Sequence, residues 1–303
     1  MDVFLQQLVN GLSVGSIYAL IALGYTMVYG TLGLINFAHS EVFMFGCYIG
    51  FYAAAWLGFN AMQADSFSFA SAAAVLLIAM AGAAVLGMTI ERLAYRPLRN
   101  APRLAPLITA IGVSLFLQNL AVLFFSANPR RFPQIVTEHR YLWGEVTVTN
   151  VKIVIFVVSI LLMLGLEFFV KKTWTGRAMR AISVNLNAAR LMGVPADRII
   201  ALTFAIGSGL AAAGGILFGL DQTKIEPTMG SLIGLKAFVA AVLGGIGNIR
   251  GAAMGGLLIG VAELMTAGYL SSDYRDAITF MILIGILLFR PQGLFGVVRQ
   301  EKV

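Results

Sequence analysis

The chain has few of the residues that carry out catalysis or cross-link a fold. Its 303 residues include one cysteine, two histidines and eight prolines, and only 12% of them are charged. The single cysteine, Cys47, excludes an internal disulfide. Neither a G-x-x-x-x-G-K-[ST] phosphate loop nor a zinc-ligand cluster occurs in the sequence. These absences predict that the chain is not an enzyme, needs no metal or cofactor, and does not itself hydrolyse ATP.

Apolar residues take the place of the missing charge. They make up 59% of the chain, and the mean hydropathy of +0.87 exceeds what the interior of a soluble domain can bury. Runs of about 20 apolar residues can cross about 30 Å of hydrocarbon as helices. We therefore predict an all-α, polytopic helical membrane protein, a single transmembrane domain over residues 1–303 with roughly eight to ten transmembrane segments. The predicted spans are 6–29, 42–58, 69–90, 104–127, 151–170, 199–220, 231–246, 250–270 and 277–290.

Basic residues outnumber acidic ones by 21 to 14, and their positions predict the orientation of the chain. They concentrate in three segments, which are 91–103, 171–198 and the tail after Phe289. The positive-inside rule assigns these segments to the cytoplasm, and the segments then expected outside are 128–150, 221–230 and 271–276. Nine spans put the N-terminus outside, whereas a re-entrant turn near residues 33–40 would reverse that. Because the basic residues lie in separate short loops beside spans, we expect contact with membrane lipid and no nucleic-acid partner.

The segment 171–198 is a long basic stretch in an otherwise apolar chain. It contains six of the 21 Lys and Arg residues and one acid. Thr175 and Gly176 predict the start of a helix, and Gly193 followed by Pro195 predicts its end. Small or apolar residues recur at helical spacing on one face, namely Ala178, Ala181, Ile182, Asn185, Ala188, Ala189 and Met192.

This small-residue face permits two interpretations of the segment. A helix that rests on lipid typically presents Leu, Phe or Trp, whereas alanines allow another surface to approach closely. The first interpretation is a helix that docks into a groove of a partner protein. The alternative is an interfacial helix that marks the cytoplasmic boundary, with its basic side chains snorkelling to the surface. The residues alone leave both interpretations open.

Five stretches of the sequence match one family in order along the chain. They are "GSIYALIALGYTMVYGTLGLINFAH", "IERLAYRPLR", "TGRAMRAISVNLNAARLMGV", "ALTFAIGSGLAAAGGIL" and "GLKAFVAAVLGGIGNIRGAAMGGLLIGVAE". The chain thereby resembles, over nearly its whole length, the permease subunit of a bacterial high-affinity branched-chain amino acid ABC importer. The resemblance implies a subunit of the inner membrane that carries leucine, isoleucine and valine, although related permeases carry urea or short amides. The partners that it implies are a homologous second permease, two cytoplasmic ATP-binding subunits and a periplasmic amino-acid-binding protein.

The same resemblance makes 171–198 the cytoplasmic loop that engages the ATPases. The residues implied in this coupling are Gly176, Arg177, Arg180, Ala181, Asn185, Ala188 and Gly193. The chain departs from the family at one position, because the family reads Asn-Phe-Ala-His-Gly-Glu where this sequence has "NFAHSE". If the glycine of that pattern adopts a positive φ angle, Ser40 is strained in its place.

Polar and ionisable groups interrupt the apolar pattern between the first two spans. Asn36, His39, Ser40 and Glu41 lie there, and an ionisable group inside a membrane is costly unless it is paired or hydrated. A broken helix at this point would offer a helix terminus and free backbone groups to a zwitterionic solute. The alternative is a cytoplasmic loop whose polar residues cap the second span.

Lys236 and Glu263 lie in consecutive spans at matching depths. At 1.5 Å per residue, they are about 9 Å and about 10 Å from the predicted outer ends. Because consecutive spans joined by a short turn are usually antiparallel neighbours, the two charges are predicted to pair. In the alternative, Lys236 snorkels outward and Glu263 meets the ammonium group of the solute. Both residues join Asn36, His39 and Glu41 as candidates for the translocation path.

The same ionisable groups permit a different mechanism of transport. His39, Glu41, Lys236 and Glu263 would serve as a proton relay if the chain were a proton-coupled secondary transporter. The long basic cytoplasmic helix favours the ATP-driven importer, because a secondary transporter has no motor to dock.

Glycines recur at four-residue spacing in the last third of the chain. Gly247, Gly251 and Gly255 form one series, and Gly256 and Gly260 form a second. Small residues at this spacing let the backbones of two membrane helices touch. These five glycines are therefore predicted to pack helices together, and they identify no substrate.

Overall fold

The computed structural model describes residues 2–59, 69–99, 101–102 and 104–296. The helices are α1 (Asp2–Leu32), α2 (His39–Trp56), α3 (Phe69–Ile90), α4 (Leu104–Phe125), α5 (Asn150–Lys172), α6 (Trp174–Val184), α7 (Leu186–Leu191), α8 (Ala196–Gln222), α9 (Met229–Gly244), α10 (Ile249–Tyr269) and α11 (Arg275–Phe289). A π-helical turn (Glu91–Tyr95) and a 3-10 turn (Arg96–Leu98) follow α3, and a 3-10 turn (Ser272–Tyr274) precedes α11. The short strands are β1 (Arg130–Arg131), β2 (Arg140–Trp143), β3 (Val146–Thr149) and β4 (Lys224–Ile225).

Each predicted span coincides with one helix, and α6 and α7 lie in the basic segment 171–198. In the described part of the chain, six helices are long and apolar enough to cross a membrane: α1, α3 with its extension, α4, α5, α8 and α10. Helices α2, α9 and α11 are shorter, with 18, 16 and 15 residues. The prediction of an all-α, polytopic membrane protein is confirmed.

Helices α1 and α8 form the centre of the bundle. In their most apolar stretches 89% and 83% of the residues are buried, compared with 17% in α3, α4 and α5. A helix that is apolar or small around its whole circumference is typical of such a buried position. The large exposed side chains of the three outer helices are Leu, Ile, Val, Phe and Met, so these helices present an apolar face to lipid or to another membrane chain.

Glycines bring α1 and α10 into backbone contact. A Cβ atom on Gly15 would lie 2.8 Å from the Cα atom of Leu257. From the opposite side, a Cβ on Gly256 would overlap Ala19, and one on Gly260 would overlap Gly15. Any larger residue at these positions would force the two helices apart, as expected of small-residue packing in membranes.

Gly251 and Gly255 face α9, the other neighbour of α10. A Cβ on Gly251 would overlap the carbonyl of Gly244, and one on Gly255 would overlap the carbonyl of Ala240. Gly247 departs from the packing prediction, because it lies in the turn between α9 and α10 and an added Cβ would meet nothing within 4 Å. Its φ angle of +95° is one that glycine adopts readily, so the turn and not helix packing requires it.

The N-terminus lies on the same side as the segment 128–150, which is expected outside. The side chain of Gln6 accepts a hydrogen bond from the Thr147 amide (2.8 Å) and donates one to the Thr147 carbonyl (3.1 Å). On the same side β1 pairs with β4, which joins two of the segments predicted outside. These contacts agree with nine spans that begin outside.

Helix α2 begins inside the bundle and not at its edge. His39 packs against Gly24, which precedes the end of α1 by about two turns, or about 12 Å. The carbonyl of Ser40 lies 2.7 Å from the position of a Cβ on Gly230 in α9. The non-helical residues 33–38 therefore turn back into the bundle before α2 starts.

Ser40 occupies its position without backbone strain. It is the second residue of α2, and the non-glycine residues with a positive φ angle in the described part of the chain are Ser126 and Thr223. The Ser40 hydroxyl donates a hydrogen bond to the carbonyl of Phe37 at 2.9 Å. The strain expected for a serine at this position is absent because the position is helical.

We predict that Gly260→Ala destabilises the protein while Gly165→Ala does not. The added methyl group at Gly260 overlaps the backbone of α1, whereas a Cβ at Gly165 in α5 meets nothing within 4 Å. Overpacking costs about 1–3 kcal/mol, and alanine otherwise stabilises a helix by about 0.5–1 kcal/mol relative to glycine. The measurement is the thermal unfolding of the purified variants in detergent. Equal melting temperatures for Gly260→Ala and the unsubstituted protein would contradict the contact.

Candidate functional site

Lys236 and Glu263 form a buried ion pair between α9 and α10. The Lys236 Nζ lies 2.8 Å from Glu263 Oε1, and the two side chains are 7% and 2% exposed. This is the arrangement predicted from their matching depths; Lys236 does not snorkel away from Glu263. A buried pair needs further hydrogen bonds to offset the loss of water.

Three further side chains complete this group, which we call the outer charge cluster. Asp276 Oδ1 lies 2.6 Å from Lys236 Nζ, and Arg275 Nε lies 3.3 Å from Glu263 Oε1. The Tyr18 hydroxyl donates a hydrogen bond to Glu263 Oε2 at 2.9 Å. The outer charge cluster thus contains two acids and two bases, and it joins α1, α9, α10 and α11.

The sequence pattern did not identify these three partners, for reasons that differ. Tyr18 lies within a long apolar run, where its ring counts as apolar and its hydroxyl gives no signal. Arg275 and Asp276 fall at the boundary between a predicted outer loop and a span. They form the first turn of α11, where an acid is favoured by the helix dipole.

A second buried polar group lies where α2 begins. Asn36, His39 and Glu41 are all buried. The Tyr95 hydroxyl, from the turn after α3, donates a hydrogen bond to Asn36 Oδ1 at 2.7 Å. The ring of His39 packs edge-on against Tyr25, with 4.8 Å between ring centroids. Burial of all three residues fits a helix broken inside the membrane better than a solvated cytoplasmic loop.

Hydroxyl groups from three helices surround the Glu41 carboxylate. Oε1 lies 3.3 Å from the Ser114 hydroxyl of α4 and 3.5 Å from the hydroxyls of Ser40 and Ser231. Oε2 is buried and, among the described residues, has no hydrogen-bond partner. No ion pair involves Glu41 in the described part of the chain. This carboxyl group is therefore solvated by weak donors alone.

The five predicted path residues do not form one site. Asn36, His39 and Glu41 belong to the start of α2, and Lys236 and Glu263 belong to the outer charge cluster. Neither a hydrogen bond nor an ion pair connects the two groups within the described residues. A continuous proton relay through all the ionisable members has no support in this geometry.

The basic segment 171–198, predicted to be cytoplasmic, forms two helices, and the prediction of one helix is wrong. Helix α6 ends before Asn185, whose backbone is extended with φ −157° and ψ 110°. The Asn185 side-chain oxygen accepts hydrogen bonds from the amides of Asn187 and Ala188, both at 3.0 Å. Asparagine is a preferred N-cap, because its side chain competes with continued helical hydrogen bonding. A positive φ of +81° at Gly193 follows α7.

The break divides the predicted small-residue face between the bundle and the solvent. Its buried members are Ala178, Ile182 and Ala189, and its exposed members are Ala181, Asn185, Ala188 and Met192. Gly176, predicted as a coupling residue, is also buried, because a Cβ there would overlap the carbonyl of Val170 at the end of α5. Arg177 and Arg180 are exposed, and Arg180 donates a hydrogen bond to the same Val170 carbonyl.

Large apolar side chains are exposed on this segment. Val184, Leu191 and Met192 are 81%, 89% and 84% exposed. Together with Ala181 and Ala188 they define the cytoplasmic apolar surface. On a segment predicted to face the cytoplasm, exposed apolar groups are typical of a protein–protein contact.

An ionic cluster fastens this segment to the end of α3. Asp197, in the first turn of α8, pairs with Arg96 and with Arg99, the latter at 2.5 Å. Arg99 also pairs with the buried Glu91 in the π-helical turn. Tyr95 of that turn contacts the start of α2. The cytoplasmic segment is thus connected through polar contacts and one helical turn to the buried group around α2.

The stretch "GLSVG" at residues 11–15 has the G-x-S-x-G spacing of a hydrolase nucleophile motif. That chemistry requires a sharp turn between a strand and a helix, which exposes the serine hydroxyl. Here the stretch lies within the continuous helix α1, and Ser13 is buried. Its glycines serve the contact with α10, and Ser13 is not placed as a nucleophile.

Together these features define a class of protein. Apolar helices form a multi-pass membrane bundle, with paired charges and a broken helix inside it and a basic segment of two short helices at its edge, as in membrane transport subunits. A family model described as "Branched-chain amino acid transport system / permease component" matches residues 7–287. The chain belongs to this family.

Named relatives cover almost the whole chain. The high-affinity branched-chain amino acid transport system permease protein BraD of Pseudomonas aeruginosa is 47% identical, over 99% of this chain and 98% of its own length. The corresponding LivH protein of Escherichia coli K12 is 45% identical, with the same coverage. A probable LivH protein of Methanocaldococcus jannaschii is 29% identical, over 93% of this chain and 89% of its own length.

We predict that Lys236→Met and Glu263→Gln each destabilise the protein and that the double variant recovers part of the loss. Each single substitution leaves the buried cluster with one unbalanced charge, and because Asp276 still pairs with Lys236 and Arg275 still pairs with Glu263, the loss is expected to stay below the about 3–5 kcal/mol of an isolated buried pair. The coupling between residues in contact is about 0.5–3 kcal/mol. Thermal unfolding of the four proteins forms a double-mutant cycle. Strictly additive losses would show that the pair contributes nothing and would leave Glu263 as a solute contact.

Proposed function

We propose that this chain is the permease subunit of an ATP-driven importer that moves leucine, isoleucine and valine across the bacterial inner membrane. The observation that carries this proposal is the identity of 45–47% to high-affinity branched-chain amino acid permeases over nearly their entire length. Such extensive identity covers the helices and the loops alike. In this proposal the chain catalyses no covalent reaction, and its partner subunits hydrolyse the ATP.

The proposed assembly contains a homologous second permease, two cytoplasmic ATP-binding subunits and a periplasmic amino-acid-binding protein. The cytoplasmic apolar surface supports a contact with the ATP-binding subunits, because Val184, Leu191 and Met192 would otherwise stay exposed to water. Arg177 and Arg180 lie beside it and are exposed. Asn185 and Gly193 contribute by ending the two helices, and Gly176 by packing.

The ionic cluster at Asp197 supports a route for energy transfer. A displacement of α6 and α7 by an ATP-binding subunit would move the start of α8. The connection is short, because only the three residues Gly193, Val194 and Pro195 separate the C-cap of α7 from α8. Arg99 holds that point to the turn after α3, and Tyr95 in that turn contacts Asn36. Rigid elements joined by hydrogen bonds are a physical means of coupling distant sites.

The polar group at the start of α2 supports a place on the translocation path. Asn36, His39 and Glu41 are buried in the bundle at a helix terminus. Discontinuous helices in transporters supply such termini to charged parts of a solute. The outer charge cluster contributes Lys236 and Glu263 nearer the outer side.

We predict that Ala181→Trp and Ala188→Trp each lower transport by about tenfold or more without unfolding the protein. Both alanines are exposed, so the indole ring clashes with a docked ATP-binding subunit and not with the bundle; a loss of about 1.4 kcal/mol in docking is tenfold. The measurements are leucine uptake and ATPase activity in proteoliposomes that contain the whole transporter. Ala81→Trp on the exposed face of α3 is the matched control. Normal transport in both cytoplasmic variants would refute the docking assignment.

We predict that uptake depends on ATP and not on a proton gradient. In proteoliposomes loaded with ATP, leucine uptake continues after a protonophore collapses the gradient, and it stops when ATP is withdrawn. The physical reason is that the ionisable groups of the chain form two separate groups and not a relay across the membrane. Loss of uptake with the protonophore at constant ATP would identify a secondary transporter.

A further inference from the structure

A cavity of about 390 Å³ lies above the outer charge cluster, on the side predicted to be outside. Lys236 and Glu263 line it together with residues that follow α8 or precede α11. Its volume falls within the range of about 300–1,000 Å³ that is typical of sites for small molecules. The cavity is formed by one subunit and does not require the second permease.

The charges of this cavity do not cancel. Within the outer charge cluster the two acids and two bases balance. Asp221 and Glu226 also line the cavity, and among the described residues neither has a Lys or Arg nitrogen within 4.0 Å. Asp221 accepts a hydrogen bond from Gln222 alone in that part of the chain. The cavity lining therefore contains four acids and two bases, and this formal excess of acids favours a cationic group.

A donor for a carboxylate lies in the same cavity. Arg275 lines it, with 36% of its side chain exposed. Its Nε lies 3.3 Å from Glu263 Oε1 without donating a hydrogen bond, and among the described residues its terminal nitrogens have no hydrogen-bond partner either. A guanidinium group binds a carboxylate through two parallel hydrogen bonds, so Arg275 can hold an anionic group without giving up its contact with Glu263.

Part of the cavity wall is apolar. Ile17, Phe218, Met229 and Ile233 contribute to it from three helices. A site with a surplus carboxylate pair, a free guanidinium edge and an aliphatic wall matches three parts of one small molecule: an ammonium group, a carboxylate and a branched hydrocarbon side chain. Neither an inorganic ion nor a neutral amide presents all three.

We propose that this outer cavity is a binding site for a zwitterionic aliphatic α-amino acid. Asp221 and Glu226 hold the ammonium group, Arg275 holds the carboxylate, and the apolar wall receives the side chain. The proposal rests on the function proposed above and deepens it, since it names where the solute first binds to the permease itself.

The test is direct binding to the complete transporter in lipid nanodiscs, without the amino-acid-binding protein and without nucleotide. Radiolabelled leucine is displaced by unlabelled leucine, by leucine methyl ester, which lacks the carboxylate, and by 4-methyl-2-oxopentanoate, which lacks the ammonium group. We expect leucine to displace the label at concentrations about tenfold or more below those of either analogue, because each analogue loses a charged hydrogen-bonding group.

Two variants assign the groups of the solute to residues. Asp221→Asn with Glu226→Gln is expected to weaken leucine binding by about tenfold or more and to abolish the preference over the 2-oxo acid, while the preference over the ester remains. Arg275→Gln is also expected to weaken leucine binding, but it is expected to abolish the preference over the methyl ester, while the preference over the 2-oxo acid remains. Asp273→Asn is the matched control, because Asp273 is exposed beside the cavity and does not line it.

Three results would overturn the site. They are the absence of leucine binding to the unsubstituted transporter, equal displacement by all three compounds, and unchanged preferences in both variants. If a variant fails to assemble, the displacement series on the unsubstituted transporter still decides the question.

ATP-driven leucine uptake measured with the binding protein present separates the two proposals. Uptake without cavity binding overturns the site alone, and the absence of uptake overturns the proposed function.

Discussion

A charge inside hydrocarbon has to be neutralised by the protein itself, and the arrangement of four helices follows from that constraint. The Lys236 side chain is only 7% exposed, so α9 must bring it to an acid on a neighbouring helix. Glu263 of α10 meets it, and Asp276 of α11 and Tyr18 of α1 add contacts. Because these side chains are shorter than the width of a helix, α10 must lie close to both α1 and α9. The glycines of α10 make that approach possible.

The interruption between α1 and α2 follows the same rule for the backbone. Residues 33–38 are not helical and turn back into the bundle, where unpaired backbone groups are costly unless protein or a water-filled cavity surrounds them. The Tyr95 contact with Asn36 and the burial of His39 and Glu41 show how the surrounding helices enclose this segment. Such a break weakens local structure, and membrane transporters use breaks of this kind where a solute passes.

The basic segment 171–198, which the charge distribution assigns to the cytoplasm, combines rigidity with exposure. The Asn185 cap divides it into two short helices. The ion pairs of Asp197 with Arg96 and Arg99 hold the C-terminal end of the segment, where α8 begins, against the residues that follow α3. Its alanines are divided between the bundle and the solvent, which places the exposed surface and the packed surface on the same two helices. The outer cavity lies at the opposite end of α8 and α9. Both surfaces therefore belong to helices of one continuous bundle.

The sequence by itself determined the membrane class, the position of the long apolar helices and the family, because hydrocarbon length and motif order are local properties of the chain. It also predicted the Lys236–Glu263 pair, since both depths could be counted from helix ends. Only the tertiary structure decided which alanines face solvent, that Gly247 serves a turn, and that Tyr18, Arg275 and Asp276 join the pair. Helical periodicity predicts a face but not its neighbour, and the Asn185 cap interrupts that periodicity at one residue. Cavities and charge clusters form from residues far apart in the chain, so their composition is set by how helices pack and not by any local pattern.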